Sequence, residues 1–160
     1  MRLNLKRLPL KKVAGMLIVI IVLLQFFRID KANPPVKQEM DFVNLNKPLA
    51  GVAQILKTSC YDCHSNETAY PWYTNIAPVS WWIKNHINEG RRHLNFSEWA
   101  AYSSKKADHK LEECVENIQE GEMPLFSYTL IHRNAVLSEE QQRALTVYFN
   151  SIRTHESDEN

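Results

Sequence analysis

Apolar positions mark out one continuous run and five helical segments along the chain. Val13 to Phe27, "VAGMLIVIIVLLQFF", is apolar on every side apart from Gln25. Such a run has no polar face to turn to water. Further on, Leu49, Val52, Ala53 and Leu56 recur at three-to-four spacing, which predicts a helix ending at or just before Cys60. "APVSWWIKNHINEG" predicts a second, with Pro78 in its first turn and Gly90 as its stop. "NFSEWAAY" predicts a short helix capped by Asn95 or Ser97. In "KKADHKLEECVENIQEG", Ala107, Leu111, Cys114 or Val115, and Ile118 form one stripe, and Gly121 ends the helix. "LSEEQQRALTVYFNSIR" predicts the last helix. Ser138 and Gln141 make its capping box, and Leu145, Tyr148, Phe149 and Ile152 its buried face. No segment alternates with period two. With only four glycines in 160 residues, few turns need a positive φ. The expected fold is all-α. Its first and last domain helices pack together, burying Leu49, Val52 and Leu56 against Leu145, Phe149 and Ile152.

Charge divides the chain. Residues 1–43 carry eight Lys/Arg against three Asp/Glu, whereas residues 44–160 carry eleven against fifteen. A mildly acidic domain is a poor partner for nucleic acid, since it cannot neutralise phosphates. Arg2, Lys6, Arg7, Lys11 and Lys12 precede the apolar run. A buried core helix would leave these five cations around an element with no polar face. The alternatives are a signal peptide and a signal anchor. "FFRIDKANPPV" offers no Ala-x-Ala cleavage pattern, which favours an uncleaved anchor over residues 1–29. The run is short of the roughly 20 residues a span needs, and snorkelling by Lys12 and Arg28 would extend it. The cations belong on the cytoplasmic side. The expectation is therefore a single-pass inner-membrane protein with its domain in the periplasm. Pro34 and Pro35 suggest a tether over 30–47, with the domain over 48–153 and a frayed tail over 154–160.

The chemistry lies in Cys60-Tyr61-Asp62-Cys63-His64. This is the C-x-x-C-H haem-attachment pattern. Two thiols add across the two vinyl groups of one haem, and the following imidazole is held beneath the ring to bind iron. A redox dithiol would be expected beside a βαβ pattern, which is absent. A structural zinc needs four ligands, and only Cys114 remains as a thiol. A disulfide across so small a loop would stabilise little.

For the other face of the iron, Met123 in "EGEMPLFSY" is the sole methionine beyond the tether, 59 residues after His64. It sits in a segment with no regular pattern, suited to folding back over the haem. His86 and His93 are rivals, and His132 could also face the pocket; His109 and His155 read as solvated. Tyr70, Trp72, Trp81 and Trp82 are candidates to cover the porphyrin, with Tyr73 and Trp99 beside them. Arg91 and Arg92 could pair with the propionates. Cys114 reads as a small buried hydrophobe.

"CYDCHSNETAYPWYTNIAPVSWWIKNHINEGRRHLNFSEW" followed by "EGEMPLFSYTLIH" resembles the bacterial haem-binding domain family of single-haem c-type cytochromes, over roughly residues 44–152. The resemblance implies one covalent haem c on Cys60 and Cys63, with His64 as proximal ligand. Met123 stands at the position cytochrome c logic gives to the distal ligand. The expected architecture is a cytochrome c-like helical domain on an N-terminal anchor. The expected function is one-electron transfer with redox proteins of the periplasm or respiratory chain, as an electron carrier for which the sequence leaves a weak peroxidase activity open. The alternative is a peroxidase or a ligand or redox sensor with an open or displaceable sixth site. A zinc-stabilised interaction module is the third reading.

Overall fold

The structure is a computed structural model and describes residues 9–153. Among these residues every regular element is helical. They form two compact units, one of residues up to 31 with 70–85, the other of residues 32–69 with 86 onwards. The tail over 154–160 lies outside the described residues.

In the smaller unit, helix α1 runs Leu10–Leu24 and has no buried residue. Helical turns continue through the amides of Gln25, Phe26 and Phe27, which donate to Val22, Leu23 and Leu24. At about 1.5 Å per residue, fifteen residues reach about 22 Å, against the roughly 30 Å of a bilayer's hydrocarbon core. Among the described residues, no helix is long and apolar enough to cross a membrane. A 3-10 turn follows at Trp72–Asn75, and then helix α5, Val79–His93, begins.

The larger unit holds the core. It contains α2 (Phe42–Asn46), α3 (Ala50–Ser59), α4 (Tyr61–His64), α6 (Ser104–Gln119), α7 (Phe126–Thr129) and α8 (Glu139–Ile152). The end of α5 belongs here too; the helix overruns Gly90 to His93. α8 packs on both α3 and α6. Val52 and Leu56 of α3, Leu111, Val115 and Ile118 of α6, and Leu145 and Phe149 of α8 are buried in one cluster. Ile152 packs against it half-buried. Leu49 departs from expectation. It stands at the N-cap of α3 and is 82% exposed, because its backbone (φ −54°, ψ 147°) is not helical and takes its side chain off the helix face.

The C-terminal part of the expected tether is folded. Asp41 caps α2 by accepting from the amides of Val43 and Asn44. Phe42 is fully buried, with ring centroids 5.1 Å from Phe96 and 4.7 Å from Trp99. Tyr61 stacks on Phe96 and donates to Asp41 across 3.0 Å. The helix is only five residues long, too short for a periodic signal, so the prolines before it dominated the sequence pattern. Phe96–Ala101 is a 3-10 helix capped by Asn95, and Ser138 with Gln141 forms the capping box on α8.

Candidate haem site

Cys60 closes α3 and opens α4. Its carbonyl accepts from Cys63 N at 3.2 Å and from His64 N at 2.9 Å. One helical turn thus carries Cys60, Cys63 and His64 at i, i+3 and i+4, positions that share a face. Ser65 ends the turn, its hydroxyl donating to the Tyr61 carbonyl and accepting from the Glu67 amide.

That face opens on a cavity of about 580 Å³, within the range that holds a cofactor-sized molecule. Cys60, Cys63 and His64 form one part of its wall. Lys110, Glu113, Cys114 and Asn117 of α6, and Met123, Pro124 and Leu125 after it, form another. His86, Glu89, Gly90 and His93 of α5 contribute too, as do the core residues Leu94, Phe96, Ile118 and Phe149.

His64 is held in one tautomer. Its Nδ1 lies 3.0 Å from the Gly90 carbonyl and 3.2 Å from that of Leu94. Carbonyls only accept, so Nδ1 carries the proton and Nε2 keeps its lone pair for a metal. Burial lowers the imidazole's pKa, opposed by these two carbonyl bonds, so the ring is neutral at pH 7. The approach depends on Gly90. A Cβ there would stand 2.7 Å from the carbonyl oxygen of Cys63 and 3.3 Å from its Cβ. Sequence reading took this glycine for a helix stop, but its function is to let α5 pack against α4.

Burial also acts on the thiols. It pushes Cys60 up to about 12, helped by the charge of Cys63, and Cys63 up to about 11, helped by Asp62. Cys114 is raised as well, first by burial and then by Cys60. All three are free thiols, protonated at neutral pH and weak nucleophiles in that form.

Met123 is placed by the end of α6. Gly121 takes φ +73°. Its amide donates to Ile118 O and that of Glu122 to Asn117 O, the two bonds of a Schellman stop. Met123 N also donates to Asn117 O at 3.1 Å. Two further residues act at the site that sequence reading missed. Tyr128, on the cavity wall, donates to Asp62 Oδ2 at 2.7 Å. Asp62 Oδ1 accepts from Ala69 N. The carboxylate between the two cysteines therefore ties α4 to α7 and to the following loop. Only a tyrosine spaced 66 residues from it marks this in the sequence.

Of the expected residues, the fold brings Cys60, Cys63, His64 and Met123 to one cavity, with His86 and His93 also on its wall. Tyr70, Trp72, Trp81 and Trp82 fall in the smaller unit and are not among the cavity's lining residues. Trp72, Trp81 and Trp82 are exposed. Arg91 is not a cavity residue either. Its guanidinium is engaged by Ser65 O, Asn33 Oδ1 and Thr68 Oγ1 at 2.7–2.8 Å. Arg92 pairs with exposed Glu89. The cation on the cavity wall is Lys110, bonded to Glu113 at 2.6 Å. His132 stacks on Tyr128 with centroids 4.2 Å apart, and His109 pairs with Glu112 and Glu113 at the surface. Among the described residues no group of three or more His, Cys, Asp or Glu side chains converges to hold a metal ion, so zinc lacks a tetrahedral donor set.

Two thiols, an imidazole with a free nitrogen and a thioether around an apolar-floored cavity fit a haem. No curated protein and no solved structure matches the chain. The family of haem-binding domains matches over residues 19–151, a span that takes in every side chain placed on the cavity wall. The chain belongs to the haem-binding domain family.

Proposed function

We propose that this protein is a membrane-anchored monohaem c-type cytochrome that transfers single electrons. In this reading Cys60 and Cys63 would hold the haem through thioethers, and His64 and Met123 would bind its iron. The observation that carries it is His64, whose Nδ1 is committed to two backbone carbonyls while Met123 lines the same cavity. Bound haem supplies the one-electron iron couple. The chain's residues fix the imidazole, would offer the Met123 thioether to the iron, and line the cavity floor with apolar side chains. A filled sixth position suits electron transfer over substrate chemistry, and a thioether there raises the potential relative to a second imidazole. Its donor and acceptor are redox proteins of the periplasm or respiratory chain. The anchor is α1, which has no buried residue and is apolar on every side over residues 13–24, with Lys11 and Lys12 at its cytoplasmic end.

A second reading, a peroxidase or sensor, draws on His86 and His93. Both share the cavity with Met123, so the sixth ligand has competitors. Acid–acetone extraction and optical spectra separate these readings. Wild-type haem should resist extraction, and the Cys60→Ala, Cys63→Ala double variant should lose it all. Met123→Ala should abolish the weak near-infrared thioether-to-ferric band, lower the potential and open the iron to carbon monoxide. His86→Ala and His93→Ala should keep the band. Ready carbon monoxide binding by the wild type would favour the sensor or peroxidase, and extractable wild-type haem would rule out covalent attachment.

A further inference from the structure

The smaller unit is built with its large apolar side chains outward. Trp72 (74% exposed), Trp82 (49%), Ile76, Val79 and Trp81 face out, as do Phe26 and Phe27. Thr74, Ala77 and Ser80 are buried. Small and hydroxyl-bearing residues inside with aromatic residues outside reverse the order of a water-soluble surface, and match packing in a lipid environment.

The end of α1 is joined to this segment with its polar groups satisfied. Gln25 Nε2 donates to Ile21 O at 2.8 Å and to Ala77 O at 3.0 Å, while its Oε1 accepts from Ala77 N at 3.0 Å. Trp81 Nε1 donates to Phe27 O at 2.8 Å. Gln25, the one polar residue of the apolar run, thus spends both amide protons and its carbonyl on backbone. That arrangement suits a place where water is scarce, because an unsatisfied polar group in lipid has no solvent to bond. Cationic side chains border the patch. Lys31 bonds Asn75, and Lys84 reaches Tyr70 Oη.

We infer that residues 72–82 form an interfacial foot, seated with Trp72, Ile76, Val79 and Trp82 in the headgroup and upper acyl region of the periplasmic leaflet. The occupant of this face is the bilayer. Tryptophan favours that depth because its ring is apolar and its N–H polar. The foot also answers the shortness of α1, since it carries the apolar band past Leu24 to where the bilayer ends. The inference rests on the reading of α1 as an anchor.

The test is nitroxide depth measurement on the full-length haem protein in phosphatidylcholine–phosphatidylglycerol vesicles. Single labels go on Ile18→Cys, Trp72→Cys, Val79→Cys and Val147→Cys, with Cys114→Ser removing the remaining free thiol. Labels at 72 and 79 should favour collision with oxygen over a water-soluble nickel chelate, to a degree between the labels at 18 and 147. Water-like values at 72 and 79 with a deep label at 18 would overturn the foot and leave the anchor standing. Water-like values at 18 as well would remove the anchor reading and the foot with it. Trp72→Tyr, which keeps the amphipathic ring, should hold label 79 at depth, while Trp72→Asp should raise it.

Discussion

Asp41 and Tyr61 lie in stretches of unlike sequence character, and one hydrogen bond makes them a unit. Asp41 is 1% exposed, caps α2 through two backbone amides and accepts from the Tyr61 hydroxyl, itself 2% exposed as a residue. Asp41→Ala removes a cap worth about 1 kcal/mol and leaves a buried hydroxyl without its partner, a further cost of about 1–3 kcal/mol. Urea denaturation followed at the haem band should show a loss of about 2–4 kcal/mol. Tyr61→Phe should cost less, about 1–2 kcal/mol, because the Asp41 cap survives. If Asp41→Ala is neutral, the segment before Asn46 is a tether after all. At this scale the sequence was readable wherever chemistry demands a residue type. Cys60, Cys63, His64 and Met123 stand out by identity and spacing, and all reach one cavity. Gly90 read only as a helix stop and Asp62 did not stand out, because their importance lies in what approaches them from other elements.

The positions of α3, α6 and α8 follow from periodicity, the end of α6 from Gly121 and the start of α8 from Ser138, whereas the Ser103 cap of α6 came only with the structure. What periodicity could not supply is how closely two helices approach. Glycine at two helix positions gives opposite expectations on that ground. A Cβ at Gly51 in α3 meets nothing within 4 Å, whereas at Gly90 in α5 it meets the Cys63 backbone at 2.7 Å. Gly51→Ala should therefore stabilise by about 0.5–1 kcal/mol through helix propensity. Gly90→Ala should destabilise by about 1–3 kcal/mol through overpacking, and should also lower haem loading, since the carbonyl that holds His64 Nδ1 must move with it. Thermal unfolding together with the haem-to-protein absorbance ratio of the two variants checks both. A Gly90→Ala protein with full loading and an unshifted melting temperature would sink the close-approach argument. The four aromatics assigned to the porphyrin teach the same limit. They do not line the cavity that holds Cys60, Cys63 and His64, because aromatic content says how much apolar surface a chain can cover and not where the fold puts it.

The chain as a whole carries a basic excess up to residue 43 and an acidic excess after it, a division that motivates the topology. The larger unit has a closed core of its own, from Phe42 to Phe149, and every residue of the cavity wall belongs to it. Haem binding should therefore not depend on α1. Replacing residues 1–27 with a cleavable export signal should give a protein that still takes up haem, with the same visible spectrum and a urea midpoint unchanged within error. The native chain should stay with the membrane pellet through an alkaline carbonate wash, because lipid and not charge would hold it. The shortened chain should leave the pellet in that wash, even if Trp72 and Trp82 keep it loosely on the membrane beforehand. A single amphipathic contact gives marginal, reversible binding, and a wash that disrupts peripheral contacts removes it. Native protein in the wash supernatant would refute the anchor. Failure of the shortened chain to load haem would show instead that the haem-binding unit needs residues 1–27 to fold.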